Sequence, residues 1–129
     1  LPTVGTLNAH PAILPDYRGI DCAKWALLND DLDKIGSTVH WVDSGVDTGN
    51  VISKLRYAVT SKDTVEHIEE VLSRQCANQM AGVVRCLLDG EKLPGKRQAA
   101  EEGKQYRKMS WRQEKSANAI LETLIRQTV

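Results

Sequence analysis

Two short stretches of this chain hold side chains able to do chemistry. Asn8-Ala9-His10-Pro11 sets an amide and an imidazole two residues apart. Such a pair can face one site, where the amide donates to a developing oxyanion and a protonated His does the same or acts as an acid. Asp43-Ser44-Gly45-Val46-Asp47-Thr48-Gly49-Asn50 sets two carboxylates in a turn with two glycines. Asp builds Asx turns with no chemical role. The chemical alternative is a carboxylate brought beside His10, where it raises the imidazole pKa and fixes the ring tautomer. Asp43 and Asp47 compete for that place. His40 reads as structural, and His67 as a surface or packing residue near the start of a helix.

The elements that must position these residues can be read from pattern. Val4 to Leu7 reads as a short strand feeding a loop from Asn8 to Gly19, which holds Pro11, Pro15 and Gly19 as breakers. Asp21 is a candidate N-cap for a short helix through Asn29. Ser37 to Asp43 is rich in β-formers, and Val51 to Val59 follows after a seven-residue loop. The two strands are expected to be antiparallel neighbours. Asp63 to Leu88 is the clearest element. Val65, Ile68, Leu72, Cys76, Met80, Val84 and Leu87 recur at helical spacing, with Thr60, Ser61 or Thr64 as caps and Gly90 as the stop. Leu93 to Gly103 reads as a loop. Ser110 and Gln113 resemble a capping box before a terminal helix lined by Ala117, Ile120, Leu121, Leu124 and Thr128.

This order is mixed α/β. A complete doubly wound sheet needs more parallel strands than these residues supply. The chain opens Leu-Pro-Thr-Val with no methionine, directly before the Asn-Ala-His loop. It is therefore expected to be the later part of a larger protein or a truncated piece of one. Residues 1–103 are expected to be the C-terminal half of a catalytic domain and 104–129 a helical tail, packed on that domain or on a second copy.

Taken together, the two loops resemble the folate-dependent formyltransferase family. Its members include methionyl-tRNA, glycinamide ribonucleotide and sugar-amine formyltransferases and formyltetrahydrofolate hydrolases. The resemblance rests on Asn8-Ala-His10, Leu14-Pro15, Gly19, Gly36-Ser-Thr38 and Asp47-Thr-Gly49 in order, and it spans roughly residues 3 to 90. It implies a Rossmann-like fold, here a mixed sheet with a long packing helix. It implies 10-formyltetrahydrofolate as formyl donor and a primary amine as acceptor. It assigns Asn8 to the formyl oxygen, His10 as imidazolium to the reaction's oxyanion, and Asp47 to pairing with His10 and moving protons. Asp47 is preferred to Asp43 because Asp-Thr-Gly matches the family element. Val46, Asp47, Thr48 and Gly49 would lie along the pterin ring. The alternative is a non-catalytic folate-binding relative or an incomplete fragment.

The departures bear on the acceptor. Arg18 and Gly19 match the Arg-Gly-x-x-Pro element of the methionyl-tRNA and sugar-amine enzymes, but Cys22 stands where its Pro would be. Pro11 stands where the hydrolases carry a second His, which argues against hydrolysis. Tyr17 takes the aromatic loop position.

The bulk numbers agree with a globular enzyme domain. The 129 residues suit one domain, and 17 basic side chains balance 17 acidic ones. That balance gives no electrostatic case for nucleic acid, which would enter only with an aminoacyl-tRNA acceptor. No apolar run is long enough for a membrane span. Cys22, Cys76 and Cys86 show no close pairing and no metal spacing, as expected for thiols in a reducing cytoplasm.

Overall fold

Ser37, Thr38, Val39 and His40 are all buried, so this polar stretch needs partners on both faces. The computed structural model, which describes residues 4–127, shows how they are supplied. They lie on β3 (Gly36–Trp41), between β1 (Leu7–His10) and β4 (Val51–Arg56), in an antiparallel sheet of order β1-β3-β4. Ser37 donates to Gln79 at 2.7 Å and accepts from Gln75 at 3.1 Å, both on the long helix α2 (Val65–Leu88). Thr38 donates to the Ala12 carbonyl at 2.7 Å and accepts from the Leu14 amide. Alternation along β3 therefore gives α2 one face of the sheet and leaves Thr38 and His40 on the other.

The remaining elements are β2 (Tyr17–Gly19), α1 (Cys22–Leu28), β5 (Lys104–Tyr106) and α3 (Trp111–Gln127), with 3-10 turns at Leu32–Lys34 and Ala100–Glu102. The main core lies between α1, the first half of α2 and α3. It joins Ala26, Leu27, Ile35, Ile68, Leu72, Met109, Ala117 and Leu121. Burying each large aliphatic side chain there contributes roughly 1.5–3 kcal/mol.

Several boundaries differ from the sequence expectation, each for a tertiary reason. The first strand is Leu7–His10, not Val4 to Leu7, so Asn8 and His10 sit on a strand. Leu7 to His10 pair in register with Trp41 to Thr38, and partner strands override weak β-propensity. Tyr17–Gly19 is a strand because it pairs in parallel with β5, a partner too remote for any local pattern to reveal. The second hairpin strand stops at Arg56, where Tyr57 turns to bond the Ile35 carbonyl and the Asp63 carboxylate. Asp21 stands at the N-cap of α1 but is left-handed and does not cap it. Its carboxylate accepts instead from the Met109 amide at 2.9 Å.

On α2 the expected apolar stripe is buried only in part. Thr64 caps the helix through the His67 amide, and Val65, Ile68 and Leu72 are buried as expected. Further along, Val83 takes the buried position while Val84 is exposed. A helix turning every 3.6 residues drifts away from a seven-residue stripe.

The tail packs on its own chain. Ser110 and Gln113 form the reciprocal capping box, and Ala117 and Leu121 of α3 enter the core with α1. Tyr106 stacks on Tyr17 with ring centroids 5.0 Å apart. Thr128 lies outside the described residues.

Candidate active site

A strand repeats every second residue, so Asn8 and His10 share one face of β1. In the antiparallel register His40 stands opposite Asn8, and Thr38 opposite His10. A bulge at Val39/His40 breaks the pairing of β3 with β4 beside this point, a common device for aiming a side chain at a site. The Asn8 amide lies 3.2 Å from His40 Nε2.

The loop between β3 and β4 brings in the carboxylate. Asp43 accepts from the Gly45 amide at 3.0 Å and from the Thr48 hydroxyl at 2.6 Å. It is the Asx turn of the loop and stays exposed. Asp47 turns inward in the left-handed region, at φ 55°, which a short polar side chain tolerates better than most. Gly49 follows because a Cβ there would collide with the Trp41 carbonyl. Asp47 Oδ2 accepts from the Gly19 amide at 2.9 Å. The same oxygen lies 3.6 Å from His10 Nδ1, and Oδ1 lies 3.6 Å from His40 Nε2. One carboxylate thus stands between two imidazoles. Asn8, His10 and Asp47 converge as expected, and Asp43 does not join them.

The hydrogen bonds fix the tautomers. His10 Nε2 lies 2.8 Å from the Tyr17 carbonyl, and His40 Nδ1 lies 2.9 Å from the Trp41 carbonyl. A carbonyl only accepts, so both nitrogens carry hydrogen. Neutral His10 then turns a bare Nδ1 toward Asp47, ready to take up a proton. Neutral His40 turns a bare Nε2 toward the Asn8 amide, which donates to it.

The two rings titrate in opposite directions. Burial pulls His10 below its ordinary 6.5, and the raising effects of Asp47 and the Tyr17 carbonyl do not recover it. The net direction is opposite to what the carboxylate alone would give, so the resting ring is neutral at pH 7. Burial also pulls His40 down, but hydrogen bonding to Asp47 and to the Trp41 carbonyl, with the Asp47 and Asp43 charges, carries it above 6.5. Asp47 is raised by burial, yet His40, the Gly19 amide and the His10 charge hold it below its ordinary 3.8. It is an anion in the folded chain at neutral pH.

The sequence reads His40 as structural. Alternation alone placed it on one face of its strand, and only the register with β1 puts it against Asn8. Next to His10 is a cavity of about 230 Å³ lined by Pro11, Gly19, Lys24, Glu69 and Ser73 among others. Cys22 also borders it, but burial first, then Asp47 and Asp21, push its thiol up to about 12, so it stays protonated at neutral pH. Among the described residues no cluster of His, Cys, Asp or Glu could hold a metal ion, and no helix is long and apolar enough to cross a membrane.

An amide, two imidazoles and a carboxylate are brought together on an α/β frame. The chain belongs to the formyl transferase family, whose profile matches residues 1–84. A methionyl-tRNA formyltransferase of Parabacteroides distasonis is 33% identical over 91 residues, which are 70% of this chain and 28% of that protein. Among solved structures, the formyltransferase PseJ from Anoxybacillus kamchatkensis, in complex with UDP-4,6-dideoxy-4-formamido-L-AltNAc and tetrahydrofolate, superposes with a TM-score of 0.69. It is 28% identical, covering 78% of this chain and 51% of that one. The phosphoribosylglycinamide formyltransferase of Streptococcus pneumoniae gives a TM-score of 0.55 at 35% identity, covering 64% and 45%. The chain thus spans 28% of the first relative and about half of the first structure.

Proposed function

We propose that this chain carries the catalytic residues for moving a formyl group from 10-formyltetrahydrofolate to a primary amine. Asn8, His10 and Asp47 do the chemistry, in a cytoplasmic enzyme whose catalytic unit here is residues 1–103 with 104–129 as its helical tail. The observation that carries this reading is the Asp47 carboxylate poised between His10 and His40, with Asn8 bonded to His40. Family membership supports it.

The donor supplies an amide-like formyl group, whose carbon accepts an amine and whose oxygen gathers negative charge. The residues present suit such a molecule. Val46 is 48% exposed at the loop tip beside Asp47 and offers an apolar edge to a flat ring. The cavity beside His10 offers the amine a place next to the reacting carbon. As the new N–C bond forms, the Asn8 amide donates to the oxygen. His10 Nδ1 takes the proton released by the amine, and its imidazolium is stabilised by the Asp47 anion. That proton is then returned to the departing nitrogen. Neutral resting His10 suits this sequence, because its acceptor nitrogen is free at the start.

The acceptor is an amine on a small molecule or on an aminoacyl-tRNA. Formyl transfer by this chain should be measured with methionyl-tRNA, glycinamide ribonucleotide and nucleotide-linked amino sugars. Transfer to one acceptor class, lost in Asp47→Asn, is expected. Wild-type turnover by Asp47→Asn would sink the role given to Asp47. No transfer, with no thermal protection by a reduced folate, would sink the whole reading; a ligand at a hundred times its Kd adds about 2.7 kcal/mol. The short span relative to relatives favours a second reading, in which this stretch alone binds folate without turnover. Protection without transfer would support it.

A further inference from the structure

The Asp47 loop holds an uncommon backbone: Asp47 is not glycine yet has φ 55°. Gln98, which lies beyond the residues matched by the family profile, reaches this loop. Its Nε2 donates to the Asp47 carbonyl at 3.0 Å and to the Gly49 carbonyl at 2.6 Å. Its Oε1 accepts from Arg18 at 3.0 Å, and the same guanidinium nitrogen donates to the Ala99 carbonyl. The amide orientation is unambiguous, because Arg only donates and carbonyls only accept. Gln98 is 8% exposed and Arg18 4%. A two-way backbone bridge between Lys96 and Val51, at 2.7 and 2.8 Å, anchors the segment two residues before Gln98.

We infer that Gln98 is a positioning residue for Asp47. It clamps the carbonyls on either side of Thr48 and so sets where the Asp47 carboxylate stands between the two imidazoles. Arg18 aims the clamp. It lies on β2 directly before Gly19, whose amide bonds that same carboxylate. The backbone and the side chain of Asp47 are thus both tied to one short strand. Residues 96–99 therefore belong to the working site, although sequence pattern marks them only as a polar loop. The consequence for turnover rests on the proposed role of Asp47. The geometry does not.

The test uses Gln98→Glu, which keeps the shape and the Arg18 contact but cannot donate to the two carbonyls. In the labelled chain, NMR should follow the Gly19 amide and the His10 ring across pH. The expected result is a displaced Gly19 amide and a lowered His10 pKa, because a raising carboxylate has moved away. A folded variant in which both are unmoved overturns the inference. Gln98→Asn, too short to reach both carbonyls, should give the same changes in smaller measure. If neither variant folds, hydrogen exchange on the unaltered chain decides. Gly19 opening together with the Lys96–Val51 bridge upholds the coupling, and independent opening overturns it. Absence of turnover in the unaltered protein would sink the functional reading and leave this result standing.

Discussion

Asp47 and Asp63 each stand 3.6 Å from a histidine, with different meanings. His10 Nδ1 and Asp47 are 3.6 Å apart, and so are His67 Nε2 and Asp63. Asp63 is buried at a corner where Tyr57 donates at 2.8 Å and the Thr60 amide at 2.6 Å, with the Thr60 hydroxyl as a further donor. Its donors lie within six residues of it, and His67 stands half in solvent. Asp47 accepts one backbone bond, from Gly19, and otherwise faces two buried imidazoles from different strands. A carboxylate saturated by neutral donors holds a turn. A carboxylate facing titratable rings can move protons. Separation alone does not distinguish them; the rest of the carboxylate's partners do.

The sharpest way to break this contrast is to neutralise each carboxylate. In a preparation that transfers formyl groups, Asp47→Asn should lower kcat by on the order of a hundred- to a thousandfold, while the Asp63→Asn rate per folded molecule stays near wild type. Steady-state kinetics checks both; equal losses would erase the distinction. Stability should respond the other way. Asp63→Ala leaves the half-buried Tyr57 hydroxyl and the Thr60 amide without their acceptor, and should cost about 1 kcal/mol by urea unfolding. An unchanged urea midpoint would show that the corner is not held by Asp63.

The pH dependence offers a finer separation. Asp47 raises both neighbouring rings, so Asp47→Asn should lower the His10 and His40 pKa values together, read by NMR titration. Divergent shifts would mean the carboxylate is not shared. The signs differ for stability. His40, raised in the fold, contributes stability complete below pH 6.5 and lost as pH rises through its folded value. His10, lowered, contributes stability present above pH 6.5 and lost as pH falls through its folded value. The Asp47 contribution is present above pH 3.8 and lost below, as it protonates. The smallest effect belongs to His67→Ala. An exposed pair is worth about 0–1 kcal/mol, so a larger loss by urea unfolding would give that histidine a role this geometry does not.

Some of this architecture is written locally and some is not. The long helix, its Thr64 cap, the Ser110–Gln113 box and the hairpin strands are legible because each depends on neighbours a few residues away. So is the candidate triad: Asn8 and His10 share a strand period, and the Asp47 turn is marked by its flanking glycines. The first strand was misplaced because its pairing partner lies thirty residues on. The β2–β5 pair was invisible because it joins residues more than eighty positions apart.

His40 and Gln98 show the same limit within the site. Each is an ordinary polar residue by local pattern, one on a strand and one in a loop. What makes them matter is a register and a crossing of the chain, set when the apolar faces of α1, α2 and α3 close over one core. The sequence by itself determined the buried face at the start of the long helix, the turn chemistry and the candidate groups of the site, since these follow from side-chain type and short-range geometry. Only the tertiary structure decided which carboxylate meets which imidazole and what holds it there. Hydrogen bonds and charges act over a few ångströms, and packing alone brings such distant residues that close.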